Sequence, residues 1–258
     1  MQASGQPPWR TAWITGASSG IGRALAIALA ARGVKVAASA RAAEELAVLA
    51  AAQAGIAPLP VDVTDLAAMR QAADSIAATL GTLELAVLGA GVWEAMSARS
   101  FAAAKAARCM AVNYQGVVNG LDAVLAPMLA RGAGQVAVIA SVAGYRGLPG
   151  TTAYGPTKAA LINLAEGLRD DLARHGVVIS LINPGYVATP MTQANAFPMP
   201  FLIDADAAAR RIIRGLEKGR FEIAFPWPMV ALMKLARLLP YPLFFSYART
   251  LLAPPRKR

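Results

Sequence analysis

The chain has 258 residues, 56% hydrophobic and 16% charged, enough for one α/β domain with a large core and too apolar for a disordered chain. Its net charge of +10 is scattered, with no dense basic tract except Arg256, Lys257 and Arg258, which argues against nucleic-acid binding. With one cysteine, Cys109, and one histidine, His175, a disulfide framework is excluded, a zinc site is disfavoured and no metal is expected. A Ser-His-Asp hydrolase would depend on His175, at a predicted helix end before Gly176.

Strand and helix then alternate along the chain. Thr11–Thr15 reads as a short strand, and the residues before it lack the charged and apolar regions of a signal peptide. The spacing predicts a helix over Gly20–Ala31 stopped by Gly33, a strand at Val34–Ser39 and a helix at Ala43–Gln53. A third strand follows at Ala57–Val61, a helix at Asp65–Leu80 and a fully apolar strand at Leu83–Leu88. One long helical region is expected from Phe101 to Ala130, closed by Gly132 and Gly134. Gln135–Ala140 is the fifth strand, Thr152–Arg174 a long helix and Val177–Ile182 the sixth strand. A helix at Asp204–Lys218 and a strand at Phe221–Phe225 complete the series. Apolar, β-branched strands alternating with helices predict a doubly wound, parallel, seven-stranded sheet between two helical layers, a Rossmann-type α/β fold over residues 1–228. Residues 229–258 form an apolar and basic helical tail, broken by Pro240 and Pro242. The uncharged stretch 177–203 contains Asn, Pro, Gly, Thr and Gln and is no clean membrane span, so a cytoplasmic protein is expected.

The first strand leads into Thr15-Gly16-Ala17-Ser18-Ser19-Gly20-Ile21-Gly22. Glycines allow a sharp turn and a close backbone approach to a pyrophosphate, and the helix that follows offers free N–H groups and a positive dipole end. A Gly-rich turn alone is weak, since strand–helix junctions often need glycine, but its place after the first strand strengthens it. Tyr154 and Lys158, four residues apart, fall on one helix face, and Pro156 between them fits only the first helical turn, which sets Tyr154 beside the helix start. Ser141 ends the fifth strand, at the edge where α/β ligand sites form, and Asn113 lies within the long helical region.

The Gly-x-x-x-Gly-x-Gly spacing with a leading Thr, followed in order by Ser141, Tyr154 and Lys158, resembles the short-chain dehydrogenase/reductase family over about residues 11–225. The resemblance implies hydride transfer between a nicotinamide cofactor and a small-molecule carbonyl or alcohol. It assigns catalytic roles to Asn113, Ser141, Tyr154 and Lys158. Tyr154 would exchange the proton, its pKa lowered by the Lys158 ammonium, while Ser141 hydrogen-bonds the substrate oxygen. In the family the lysine also bonds the nicotinamide ribose and the asparagine holds a proton-relaying water. Cofactor contacts are carried to Gly16, Ser18, Ser19, Gly20, Ile21 and Gly22, to Asp62 and Val63 near the adenine, and to Ala90 and Gly91. Tyr154, Lys158, Pro184, Gly185, Val187 and Thr189 complete the set. Where the family has Asn-Ala-Gly after the fourth strand, this chain has Gly89-Ala90-Gly91, so a looser or differently braced loop is expected.

The second strand ends Ala38-Ser39-Ala40-Arg41, without the acid that bonds an NAD ribose and with an arginine suited to a 2′-phosphate, so NADP is favoured over NAD. The Met-, Phe- and Pro-rich segment 191–201 occupies the family's variable substrate lid and hints at a lipophilic substrate. The cationic, aromatic tail is a candidate for peripheral contact with the inner membrane surface, or for packing over the pocket or a subunit contact. Relatives commonly pair as homodimers or homotetramers. The alternative reading is a non-catalytic dinucleotide-binding sensor or scaffold, for which a retained proton relay has no use.

Overall fold

The computed structural model describes residues 7–193 and 198–252. The basic terminus Arg256, Lys257 and Arg258 and part of the predicted lid, 194–197, lie outside the described residues. Seven strands form one parallel sheet: β1 (Thr11–Thr15), β2 (Lys35–Ser39), β3 (Ile56–Pro58), β4 (Leu85–Leu88), β5 (Gly134–Ile139), β6 (Val177–Pro184) and β7 (Glu222–Phe225). Their order is β3-β2-β1-β4-β5-β6-β7, the doubly wound arrangement expected. The order reverses between β1 and β4, and ligand crevices form outside the carboxyl ends of such a pair.

Helices cover both faces. The helices α1 (Gly20–Ala30), α2 (Ala43–Ala52), α3 (Leu66–Thr79), α4 (Ala103–Cys109), α5 (Gly116–Ala130) and α6 (Gly155–Arg174) follow the first five strands. After β6 come the short α7 (Pro190–Gln193), α8 (Ala205–Glu217), α9 (Trp227–Leu238) and α10 (Tyr241–Leu252). Neighbouring residues of β1 show why the strands read as continuously apolar. Trp13 points into one core with Leu121, Val124 and Leu161, while Ile14 points into the other with Leu25, Leu29 and Ile212. Asp65 and Asp204 cap α3 and α8 by accepting from the N–H groups of Ala68 and Ala207.

Several boundaries differ from expectation. The long region from Phe101 is not one α-helix: α4 passes through a π-helical turn at Met110–Gln115 before α5 begins. The wider π turn fits one extra residue into the helix, so the apolar pattern continues through it without a proline or glycine to mark it. The β3 ladder covers Ile56–Pro58 rather than Ala57–Val61. Leu59 and Val61 still donate to the carbonyls of Ala38 and Ala40, while Pro58 and Pro60 take the alternate positions of this edge strand, where no ladder donor is needed. The α6 helix starts at Gly155, not Thr152, with Tyr154 as its N-cap residue and Pro156 in the first turn. The sixth strand extends to Pro184, because Leu181–Pro184 pair with Glu222–Phe225.

In the tail, α9 sets Met229 and Met233 into the core, and Ala236, Phe244 and Ala248 form a small cluster of their own. Among the described residues, no helix is long and apolar enough to cross a membrane.

Candidate active site

A cleft of about 340 Å³ opens at the carboxyl edge of the sheet, over the β1/β4 reversal. Its floor is the turn Gly16–Gly22. Gly16 has φ +75°, and a Cβ there would stand 2.9 Å from Ala90 Cα. A Cβ on Gly22 would come within 2.2 Å of the Gly16 carbonyl oxygen. Only glycine therefore allows this loop to close against both β4 and its own helix. The Ser19 side chain makes no capping bond, and no acid stands in the first turn of α1, so the helix start is left to an external anion. Ser18, Ser19, Gly20 and Ile21 line the cleft beside it.

The exit of β4 is braced from β1. Thr15 Oγ1 accepts from the N–H groups of Gly89 (3.0 Å) and Ala90 (3.3 Å). The place a Gly89 side chain would take is filled by Ile139, whose Cδ1 would lie 2.6 Å from a Cβ. The expected departure at Gly89 is thus a differently braced strand end. At the end of β2, the Ser39 hydroxyl accepts from the Trp13 indole (2.9 Å) and its carbonyl from Ala17 N–H (3.0 Å). Arg41 follows, exposed and lining the cleft. Asp62 Oδ1 accepts from the Thr64 N–H (2.9 Å) and hydroxyl (2.8 Å). The Thr64 backbone bond, helped by the Thr64 hydroxyl and the Arg41 charge, holds its carboxyl below the usual range against the opposing effect of burial. Val63 is fixed from α5, where Asn119 Nδ2 donates to its carbonyl (2.9 Å).

At the other end of the cleft stand Ser141, Tyr154 and Lys158. Ser141 Oγ accepts from Ala143 N–H (3.1 Å), donates to the Pro184 carbonyl (3.3 Å) and lies within hydrogen-bonding reach of the Tyr154 phenol. Burial pushes that phenol up to about 12, with the Ser141 bond acting in the opposite direction. Lys158 is almost wholly buried; its Nζ donates to the Ile139 carbonyl (2.8 Å) and stands 5.4 Å from the centre of the Tyr154 ring. Burial draws this ammonium down to about 8. The Lys158 ammonium bonds a backbone carbonyl, and desolvation is the leading influence on both groups.

Asn113 sits in the π turn and is fully buried. Its Oδ1 accepts from Val92 N–H (2.7 Å), and its Nδ2 donates to the Val92 carbonyl (2.9 Å) and Thr157 Oγ1 (3.1 Å). No amide donor is left for a water, so the side chain braces the chain beyond β4 against α6.

The far wall is the segment after β6. Gly185 N–H donates to the Phe225 carbonyl (2.6 Å), and Val187 pairs with Ile203 in an isolated bridge. Thr189 hydrogen-bonds Thr192 and sits so close to the loop that a Cβ on Gly20 would meet its Cγ2 at 2.8 Å. Pro184, Gly185, Val187 and Thr189 all line the cleft, as do Ala90, Gly91, Asp62 and Val63. Asn113 stands behind its wall. His175 caps the far end of α6, its Nδ1 at 2.9 Å from the Asp171 carbonyl oxygen, and is not among the lining residues. Cys109 is fully buried, and burial pushes its thiol up. Sequence reasoning marked Thr15 only as the leading Thr of the glycine motif and missed Thr157, Thr192 and the Ile139 carbonyl. These three act through hydrogen bonds between segments distant in sequence or in a turn, and no spacing marks them.

The family model for short chain dehydrogenase matches residues 10–197. An uncharacterized oxidoreductase of Myxococcus xanthus is 38% identical over 94% of this chain and 98% of its own. The 2-(R)-hydroxypropyl-CoM dehydrogenase of Xanthobacter autotrophicus is 35% identical over 71% of this chain and 77% of its own. A short-chain dehydrogenase/reductase from Burkholderia phymatum, solved in complex with NAD, superposes with a TM-score of 0.81 at 26% identity, covering 97% of both chains.

Proposed function

The chain belongs to the short-chain dehydrogenase family, oxidoreductases acting on CH–OH and C=O groups, and from that premise we propose an NADP-dependent enzyme for a lipophilic carbonyl or secondary alcohol. The observation that carries the proposal is one cleft with Arg41 and the open glycine turn at one end and Ser141, Tyr154 and Lys158 at the other. The turn that a Cβ would fill and the uncapped start of α1 fit a pyrophosphate. Arg41, with no acid at the end of β2, fits a 2′-phosphate. A nicotinamide bound in this cleft supplies or accepts the hydride. Ser141 orients the substrate oxygen, Tyr154 gives that oxygen its proton during reduction and removes it during oxidation, and Lys158 holds positive charge beside the phenol. Asn113 is a positioning residue, through Val92 and Thr157. Met191 in the wall supports an apolar substrate.

The test is NADPH and NADH oxidation against carbonyl compounds of graded chain length. We expect turnover that prefers NADPH and longer apolar substrates. Tyr154→Phe should lower turnover by about 10²–10⁴-fold with NADPH binding kept. NADPH binding without turnover on any carbonyl would favour a dinucleotide-binding scaffold instead. Arg41→Ala should erase the preference for NADPH.

A second proposal concerns the tail. Trp227, Leu238 and Tyr241 are 77%, 80% and 67% exposed, and residues 223–258 contain six Lys or Arg and no acid. We infer peripheral contact with an anionic membrane surface. Absence of co-sedimentation with anionic liposomes at low salt would end it. A homodimer or homotetramer belongs to the same set of proposals, and light scattering reads it directly.

A further inference from the structure

A second cavity, of about 560 Å³, opens between α8, β7 and α9 and shares no lining residue with the dinucleotide cleft. Its wall is cationic: Arg211, Arg214, Lys218, Arg220 and Lys234 face one carboxylate, Glu222. That carboxylate is already committed. It accepts from the Tyr145 hydroxyl, from Asn183 Nδ2 at 3.1 Å and from the Lys234 ammonium, which accounts for Lys234. The other four cations have no ion pair or side-chain hydrogen bond among the described residues; the nearby Glu217 pairs with Arg32. The C-terminal end of α8 complements the charge of Lys218, but it reaches only the last turn.

Arg211 carries the second observation. Its Nη1 is buried and has no hydrogen-bond partner. A guanidinium N–H that has lost water and gained no acceptor is unfavourable, and so are uncompensated cations gathered round one concavity. A polyvalent anion relieves the second directly, and the first once a turn of the guanidinium brings Nη1 to the cavity surface. The planar forks of Arg211, Arg214 and Arg220 suit the bidentate geometry of a phosphate. The α9 helix begins at Trp227, a lining residue, so its positive dipole end adjoins the cavity. Ile223, Val230 and the exposed Trp227 indole offer apolar surface to whatever carries the phosphate.

We propose that this cavity is a second ligand site, taking a phosphate-bearing anion. It is independent of the hydride-transfer proposal, since none of its residues enters that chemistry. The phosphate could belong to a phospholipid headgroup or to a soluble phosphate ester, and the full chain separates them. Inorganic phosphate and glycerol 3-phosphate are titrated calorimetrically. In parallel, vesicles of phosphatidylcholine with and without phosphatidic acid are co-sedimented with the protein. Calorimetric saturation by glycerol 3-phosphate without vesicle binding assigns the soluble source. Binding to the phosphatidic acid vesicles, displaced by glycerol 3-phosphate, assigns the lipid.

Either result is expected to weaken roughly thirtyfold in Arg211→Gln/Arg214→Gln, the effect of two cations near a phosphate surface. The charge-matched pair Lys35→Gln/Arg174→Gln, on other faces, should change little. Unchanged NADPH binding certifies the fold of the variant. Should the double variant fail to fold, Arg214→Gln alone, at an exposed position, is read the same way. The proposal is overturned if wild-type protein binds neither probe, or if both variant pairs lose binding equally. Absent carbonyl reduction with phosphate binding intact would count against the hydride-transfer proposal alone.

Discussion

Lys158 bears the largest energetic conflict in the cleft. Burial draws its ammonium from an ordinary 10.5 down to about 8, so at pH 7 the charged form is held in the fold at a cost on the order of 3 kcal/mol. Because the folded-state value of this base is depressed, the cost is complete below about pH 8 and is relieved as pH rises from there towards 10.5. The bond to the Ile139 carbonyl offsets part of it. Lys158→Met should therefore raise unfolding stability at pH 7 by about 1–3 kcal/mol while abolishing turnover, as expected where function holds a strained group. Urea unfolding at pH 7 and pH 10 checks this: the gain must shrink at the higher pH, and a loss of stability at pH 7 would refute it. Tyr154 carries a complementary prediction. With its phenol pushed up to about 12, it remains protonated through neutrality, the form needed to donate to a carbonyl oxygen. Carbonyl reduction should stay level from about pH 6 to 8 and fall as Lys158 discharges, while alcohol oxidation climbs with pH. Profiles of kcat/KM in both directions test it, and a reduction rate that rises above pH 9 would contradict the assigned donor.

Elements differ in how far local chemistry specifies them. The β1–turn–α1 unit is set by residues 11–30, and its close approaches lie within it, against the end of β4 and, at Gly20, against Thr189, so the glycine spacing made most of it legible. Gly22→Ala tests that economy of space. Its new Cβ would press on the Gly16 carbonyl at 2.2 Å, a backbone atom that cannot yield without opening the turn. NADPH affinity should fall by more than about tenfold, since pyrophosphate binding needs close backbone approach. Calorimetric titration measures it, and unchanged affinity would remove the turn from the binding site. The four-residue spacing of Tyr154 and Lys158 was equally legible, because helix geometry alone puts them on one face, and Pro156 located the helix start. The π turn around Asn113 was not, because one inserted residue leaves the apolar pattern intact and no breaker marks it. The partner of Lys158 was hidden for another reason. A backbone carbonyl is present at every residue, so nothing in the sequence singles out Ile139. Four of the five cations of the second cavity already fall within residues 211–220, and folding adds Lys234 and the concavity that α8, β7 and α9 enclose.

At the scale of the whole molecule, α9 packs on the core through Met229 and Met233, and Arg146 ties the end of α9 and the start of α10 to the residues after β5. It stands five residues beyond Ser141, and its guanidinium donates to the carbonyls of Arg237 (3.0 Å) and Leu239 (3.2 Å) at the end of α9. The same group lies over the rings of Tyr241 (4.8 Å) and Phe244 (4.4 Å), the first turn of α10. One side chain thus satisfies terminal carbonyls that α9 cannot bond itself and holds the next helix by cation–π contact. The buried apolar cluster behind it is small, centred on Phe244 and Ala248. Arg146→Ala should therefore loosen α10 by about 1–3 kcal/mol, the cost of leaving those partners unpaired, without unfolding the sheet. Hydrogen exchange is the appropriate measurement, because it resolves the two regions separately. Amides of residues 241–249 should exchange faster while those of β1, β4 and β5 keep their protection. Arg146→Lys retains the charge but not the fork, and should fall between wild type and alanine. If the strands lose protection together with α10, the tail is an integral part of one cooperative unit rather than an element clamped to its surface by Arg146.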